Sequence, residues 1–298
     1  MLLAGLACGP AVAQETSPAN EWTVETSAAL AYMMREGVGG PIVTNTNGGA
    51  TVIAASDLCL DWTPGADLRL SLMKSDWGVE ARFFGLFDWE SEFNTANAGL
   101  LLVFGVNVGG ASQLPTTYRS SLDTLEFNAV WRPTSRLDLL GGLRWVNLDE
   151  QLDIGFAAGG PILLTGRNHT SSEGFGPQIG MRLHLLEPRP TSSLYLDVEA
   201  RVAAIHFEHD SLTGFVPPVG NPIFPSNRSS STWSPLVEIG AVAGFKVSEK
   251  ATIELGYRLM YINNVAIATV GGLGNASGET PTSHLLMHGV TAGLKIRF

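Results

Sequence analysis

Apolar and polar residues alternate with a period of two through most of this chain. The last stretch shows it most plainly. Leu286, His288, Val290, Ala292, Leu294, Ile296 and Phe298 share one face, and Met287, Gly289, Thr291, Gly293, Lys295 and Arg297 share the other. Successive side chains of a strand point to opposite faces, so this strand has one apolar and one polar face. The pattern recurs upstream. It predicts strands at Trp22 to Met34, around Leu68 to Leu72, at Trp77 to Trp89, around Leu125 to Trp131 and around Leu137 to Trp145. Further strands are predicted around Ile179 to Leu185, Leu194 to Val202, Val237 to Phe245 and Ile253 to Tyr261.

The connections alternate between long and short. Short polar turns fall at Lys74 to Asp76, Pro133 to Ser135, Glu187 to Thr191 and Ser248 to Lys250. Long Gly-, Ser- and Asn-rich stretches fall at Arg35 to about Pro64, Glu90 to about Thr117, Gly155 to Ser172, Ser211 to about Ser231 and Val270 to about Ser283. Within the second of these, the apolar piece Leu100 to Val108 either adds strand or folds inward. Alternating short turns and long loops, with an even strand count, mark a transmembrane barrel. The expected fold is all-β: a closed antiparallel barrel of about ten strands, within a range of ~8–12. Closure is required because open strand edges cannot face lipid. The competing reading is a soluble sandwich, which shares the alternation.

Composition agrees with the barrel. Charged residues make up 15% of the chain, and glycine is abundant at 34; soluble domains carry ~25% charge. No segment after the leader reaches the ~18–20 apolar residues of a membrane-spanning helix. A net charge of -10 argues against nucleic acid as a partner. The start, residues 1–13, reads as a signal peptide: an apolar run ends in Ala11-Val12-Ala13, with cleavage before Gln14. Its positive n-region is missing, which points to a start truncated upstream, and residues 14–298 are then the barrel domain. Sec export to the outer membrane of a diderm bacterium is expected. Of the two cysteines, Cys8 lies in the leader and Cys59 stands alone as an inert loop residue, so no disulfide or thiolate metal site is expected.

On the outward faces the aromatic residues sort by strand end. Trp22, Trp77, Trp131 and Phe298 fall at turn-side ends, and Tyr32, Trp89, Trp145, Trp233 and Tyr261 fall toward the loops. Two such girdles are expected at the two interfaces of a membrane.

The inward faces carry charge. Closing the hairpins around their turns sets Arg69 opposite Glu80 and Asp67 opposite Arg82. It sets Glu126 opposite Gly142 and diagonal to Arg144, Arg182 opposite Asp197, and Glu199 opposite Gly180. It also sets Glu254 opposite Gly244 and diagonal to Lys246, and Arg258 opposite Gly240 and diagonal to Glu238. Opposite charges are favoured cross-strand neighbours. These residues are expected to form a charge ladder that either fills a narrow lumen or acts as a selectivity constriction; small barrels are filled by side chains.

Acidic residues Glu90, Glu92, Asp149, Glu150, Asp153, Glu173, Glu208 and Asp210 map to the loop side. Lys74, Arg132, Arg136, Arg189, Lys246, Lys250, Lys295 and Arg297 map to the turn side. The expectation is an acidic mouth that favours cations and bridges to lipid phosphate through divalent ions. His206, His209 and Asp210, with Asp149 and Glu150, are the residue types that rim proteases of similar barrels use, but no catalytic, metal-binding or cofactor motif is present. No enzyme activity and no cofactor are expected.

The C-terminal strand, with its terminal Phe298, resembles the strand that assembly machinery reads in bacterial outer-membrane barrels. The runs Tyr118-Arg119-Ser120-Ser121-Leu122-Asp123-Thr124-Leu125-Glu126-Phe127-Asn128 and Arg136 to Glu150 resemble strands of the planctomycete-type outer-membrane β-barrel family. The resemblance implies an outer-membrane barrel and no particular chemistry. Its expected partners are outer-membrane lipid and the barrel-assembly machinery, with the loop ligand unassigned. The functional expectation is a barrel with at most a narrow, porin-like passage for ions or small solutes. The alternatives are a non-conducting surface barrel whose loops bind a partner or lipopolysaccharide, and, more remotely, a rim hydrolase.

Overall fold

The computed structural model describes residues 21–36, 41–46, 49–58, 62–104, 106–158, 160–186, 193–219, 223–269, 280 and 282–298. The leader, Cys59, Arg189 and most of the Val270 to Ser283 connection lie outside the described residues. Among the described residues there are twelve strands: β1 (Trp22–Arg35), β2 (Pro41–Asn45), β3 (Thr51–Ala54), β4 (Thr63–Lys74), β5 (Trp77–Val103), β6 (Val106–Thr134), β7 (Leu137–Ala157), β8 (Ile162–Leu186), β9 (Leu194–Val216), β10 (Ile223–Lys246), β11 (Ala251–Ala266) and β12 (Thr282–Arg297). Ten of them form a closed antiparallel ring in the order β1-β4-β5-β6-β7-β8-β9-β10-β11-β12. β12 closes on β1, with Ala28 opposite Leu294 and Tyr32 opposite Val290. The β2–β3 hairpin branches off the ring, pairing through Val43 with Val103 of β5.

The ten expected strands are therefore the ring, but their loop-side limits lie much farther out. Glu90 to Thr117 is not a loop: β5 and β6 continue as a ladder to Val103 and Val106 around a tight tip. The apolar piece Leu100 to Val108 is that strand tip. Most of Gly155 to Ser172 and Ser211 to Ser231 is likewise strand. At about 3.3 Å per residue, the 29 residues of β6 make roughly 95 Å of strand, several times a ~25 Å apolar band. A wall that rises into water needs no apolar outer face. Its Ser, Thr and Asn residues read as loop although the backbone stays extended.

The outward face carries a band of exposed apolar side chains, among them Leu70, Val79, Phe127, Leu143, Ile179, Val202, Ile239, Leu255 and Val290. Trp22, Trp77, Trp131 and Phe298 edge it on the turn side, with Trp77 and Trp131 stacked at 5.6 Å between centroids. Tyr32, Trp145, Trp233 and Tyr261 edge it toward the loops, joined by Trp62 and Phe175. Trp89 is a correction: it is 1% exposed and points inward. The β5–β6 register slips between Leu86 and Trp89. A one-residue bulge there flips the alternation, which leaves Phe87 outside and Trp89 in the core.

Candidate functional site

The lumen is filled in two layers. On the turn side, the inward rows of eight strands deliver charged side chains to one network. Arg82, fully buried, meets Asp67 at 2.9 Å, Glu238 at 2.7 Å and Glu126 at 3.3 Å. Arg201 reaches Glu126 at 2.9 Å, Glu80 at 3.1 Å and Glu199 at 3.2 Å. Arg182 reaches Glu80 at 2.7 Å, Glu199 at 3.2 Å and Asp138 at 3.6 Å. Arg144 sits 2.8 Å from Glu238 and 3.6 Å from Glu126. Arg69 bonds Glu199 at 3.0 Å, and Arg258 bonds Asp67 and Glu238. Six guanidinium groups thus face six carboxylates, counting Asp138, and the network is formally neutral. Gln178 donates to Glu126 at 2.9 Å. Desolvating one such charge costs several kcal/mol, so each is tolerated only because it meets opposite charge on several sides.

The residues of the expected ladder come together here, but not through the expected pairs. Arg69 stands opposite Arg82, and Glu80 opposite Ser71. The β4–β5 loop is the two residues Ser75 and Asp76, with Ser75 left-handed at φ 54°, so its centre lies one residue later than the sequence suggested. That moves every partner by two. Glu126 faces Arg144 directly: the β6–β7 loop is Ser135 and Arg136, later than the sequence suggests, and the one-residue slip between Trp131 and Thr134 brings the net shift to two. Arg182 faces Glu199, and Asp197 faces His184, bonding it at 2.8 Å. Only β10 and β11 keep the expected register, with Glu254 opposite Gly244 and Arg258 opposite Gly240. A side chain at Gly244 would collide with Tyr195, whose ring fills that space and whose hydroxyl donates to Glu254. Lys295 completes Glu254 at 3.2 Å, while Lys246 lies exposed at the turn-side end instead. Arg201, Asp138, Gln178 and His184 were missed. Each sat on an inward row in the sequence, but none had an opposite charge in the hairpin register assumed.

Below the network, a vestibule of about 240 Å³ opens at the turn side, lined by Arg132, His184, Tyr195, Asp197, Lys246, Lys250 and Arg297 among others. Above it apolar side chains predominate: Phe84, Trp89, Leu122, Val146, Leu148, Phe207, Met260 and Met287 belong to one buried cluster with Ile42, Val43 and Ile53 of the β2–β3 hairpin. The end of β11 and the residues just beyond it fold into this layer. Ala268 N–H donates to Glu150 at 2.8 Å, Asn168 donates to Ala268 O at 2.6 Å, and Ala266 N–H donates to Ser172 at 3.1 Å. Arg35 binds the other oxygen of Glu150 and also donates to Tyr118 and Ser120.

Among the described residues no acidic mouth forms. Glu90, Glu92, Asp149, Asp153, Glu173, Glu208 and Asp210 follow the outward alternation of their strands, and Glu150 is buried inside. Several outward carboxylates are paired on the wall: Glu90 with Arg119 at 2.7 Å, Asp153 with Arg167 at 2.7 Å and Asp149 with His169 at 3.0 Å. The rim acids and histidines do not converge either. His209 is buried against Ser172 inside, whereas His206 packs on Trp233 outside and Asp210 is exposed. A bulge-free strand places His209 and Asp210 on opposite faces.

No family model and no curated protein matches the sequence. Among solved structures, the chain is similar to the outer membrane protease OmpT of Escherichia coli, with 13% identity, TM-score 0.51, and 95% of this chain and 98% of that chain covered. It is also similar to the attachment invasion locus protein Ail of Yersinia pestis, with 10% identity, TM-score 0.32, and coverage of 93% and 99%. The toluene transporter TodX of Pseudomonas putida matches with 10% identity, TM-score 0.38, and coverage of 93% and 89%. Likeness at this identity concerns the fold. The closed ring, the outward apolar band and the likeness to the OmpT structure agree: this chain has the fold of a ten-stranded outer-membrane β-barrel.

Proposed function

We propose that the protein is an integral outer-membrane barrel that is closed at rest, with at most a narrow passage for ions. The observation that carries this is the filled lumen: a neutral network of arginines and carboxylates on the turn side, and an apolar layer under the β2–β3 hairpin on the loop side. The apolar band between aromatic edges supports membrane insertion, because exposed apolar surface of that extent is otherwise an aggregation hazard. The resemblance of the runs 118–128 and 136–150 to strands of the planctomycete-type family accords with the same reading. The dispersal of the rim acids and histidines among the described residues supports a non-catalytic reading. Recording from the refolded protein in planar bilayers tests the proposal. The expected trace is silent or shows rare, small openings; large, steady conductance would replace it with an open porin.

A further inference from the structure

One group of side chains on the outward face gathers more rings and imidazoles than the His206–Trp233 pair elsewhere on the aromatic edge. Tyr32 of β1, Trp62 just before β4, Tyr257 and Tyr261 of β11, and His284 and His288 of β12 lie on adjoining strands. Tyr32 and Trp62 stack with centroids 5.4 Å apart and an interplanar angle of 15°. Trp62 meets His288 edge-on at 6.3 Å. The Tyr257 hydroxyl and His288 Nδ1 share a hydrogen bond of 2.8 Å, and Tyr261 lies 6.0 Å from His284. The ten-residue step from Trp22 to Tyr32 is roughly 33 Å of strand, or about 25 Å of height at the usual tilt. The patch therefore sits at the loop-side boundary of the apolar band.

Anchoring a barrel requires only amphipathic rings spread around its perimeter. This patch instead gathers flat rings and polar tips in one sector and includes two imidazoles, which add little to anchoring. The bond to Tyr257 engages Nδ1 of His288 and keeps Nε2 for another partner. Among the described residues, no lysine or arginine takes part in these contacts. We infer that the patch binds the saccharide headgroup of an outer-leaflet glycolipid. The exposed Tyr32 and Trp62 rings cover the C–H face of a sugar, and the phenol and imidazole tips hydrogen-bond its hydroxyls. With no lysine or arginine in these contacts among the described residues, the patch favours the sugar over a phosphate. The inference rests on the outer-membrane reading proposed above.

The test uses the full barrel in phosphatidylcholine nanodiscs with and without lipopolysaccharide, counting retained glycolipid by native mass spectrometry. The wild type is expected to retain lipopolysaccharide against excess phospholipid. Trp62→Leu and His288→Leu should each weaken retention about tenfold. Trp62→Phe, which keeps a ring, should stay close to wild type, and so should Trp233→Leu, which alters the same edge on β10. Equal losses in Trp62→Leu and Trp233→Leu would reduce the patch to ordinary anchoring and overturn the inference. Competition by the free oligosaccharide is expected; retention that it does not affect would assign binding to the acyl chains and overturn it as well. A wild type that enters nanodiscs without retaining lipopolysaccharide overturns this site alone, whereas failure to enter them overturns the membrane reading too.

Discussion

Arg82 of β5 and Glu238 of β10 meet inside the barrel with Nη1 and Oε1 2.7 Å apart, although their strands are not neighbours in the ring. Arg82 also holds Asp67 and Glu126, so it ties four strands together. Arg82→Met should lower stability by about 3–5 kcal/mol, because the buried carboxylates of Glu126 and Glu238 and the partly buried one of Asp67 lose a shared cation. Adding Glu238→Gln should restore part of the loss. Urea unfolding of the detergent-folded barrel measures both; an unchanged midpoint for Arg82→Met would contradict the network.

Arg182 contacts Glu80, Glu199 and Asp138 and does not pair with Asp197. Arg182→Ala should therefore destabilise the barrel and open brief conductance events. Its suppressor should be Glu80→Gln rather than Asp197→Asn. Rescue by Asp197→Asn alone would favour the hairpin register expected from the sequence.

Trp89 and Trp233 make a matched pair, one 1% exposed and the other 60% exposed. Trp89→Ala should cost about 3–5 kcal/mol through the cavity it leaves. Trp233→Ala should cost much less and change the tryptophan fluorescence response to brominated lipid. Comparable losses from both would argue against the bulge that turns Trp89 inward.

Glu150 accepts from Arg35 on one oxygen and from Ala268 N–H on the other. Glu150→Ala removes the acceptor that fixes the inward-folded segment. The Ala268 amide should then exchange with deuterium far faster than in the wild type, while amides of β7 stay protected. Unchanged exchange at Ala268 would mean that Asn168 and Ser172 hold the segment by themselves.

Phe298 is 68% exposed and donates its N–H to Val24 O at 2.9 Å, at the seam where β12 closes on β1. Deleting it should lower the yield of heat-modifiable barrel in the outer membrane more than it lowers the stability of the refolded protein. Equal effects on both would make Phe298 a structural residue and remove its role as an assembly signal.

The ring of ten strands, its order and the outward apolar rows were legible in the sequence. A period-two pattern records which face meets which environment, and one apolar face repeated along the chain leaves few ways to bury the open edges. The inward rows are legible as charged for the same reason, and Arg82, Glu126 and Glu199 stand out on them from the sequence alone. Three things were decided only by tertiary structure. The centre of a turn sets register in steps of two, and Ser75 moved the β4–β5 partners without altering any face. A single bulge reverses the faces beyond it, and it carried Trp89 from the outer edge into the core. Closure then brought β5 against β9 and β10 across the lumen, so the ion pairs of Arg82, Arg182 and Arg201 join strands that no hairpin connects. Local pattern encodes the side on which a residue stands; the partner it meets across a closed barrel depends on strand tilt and stagger around the whole ring.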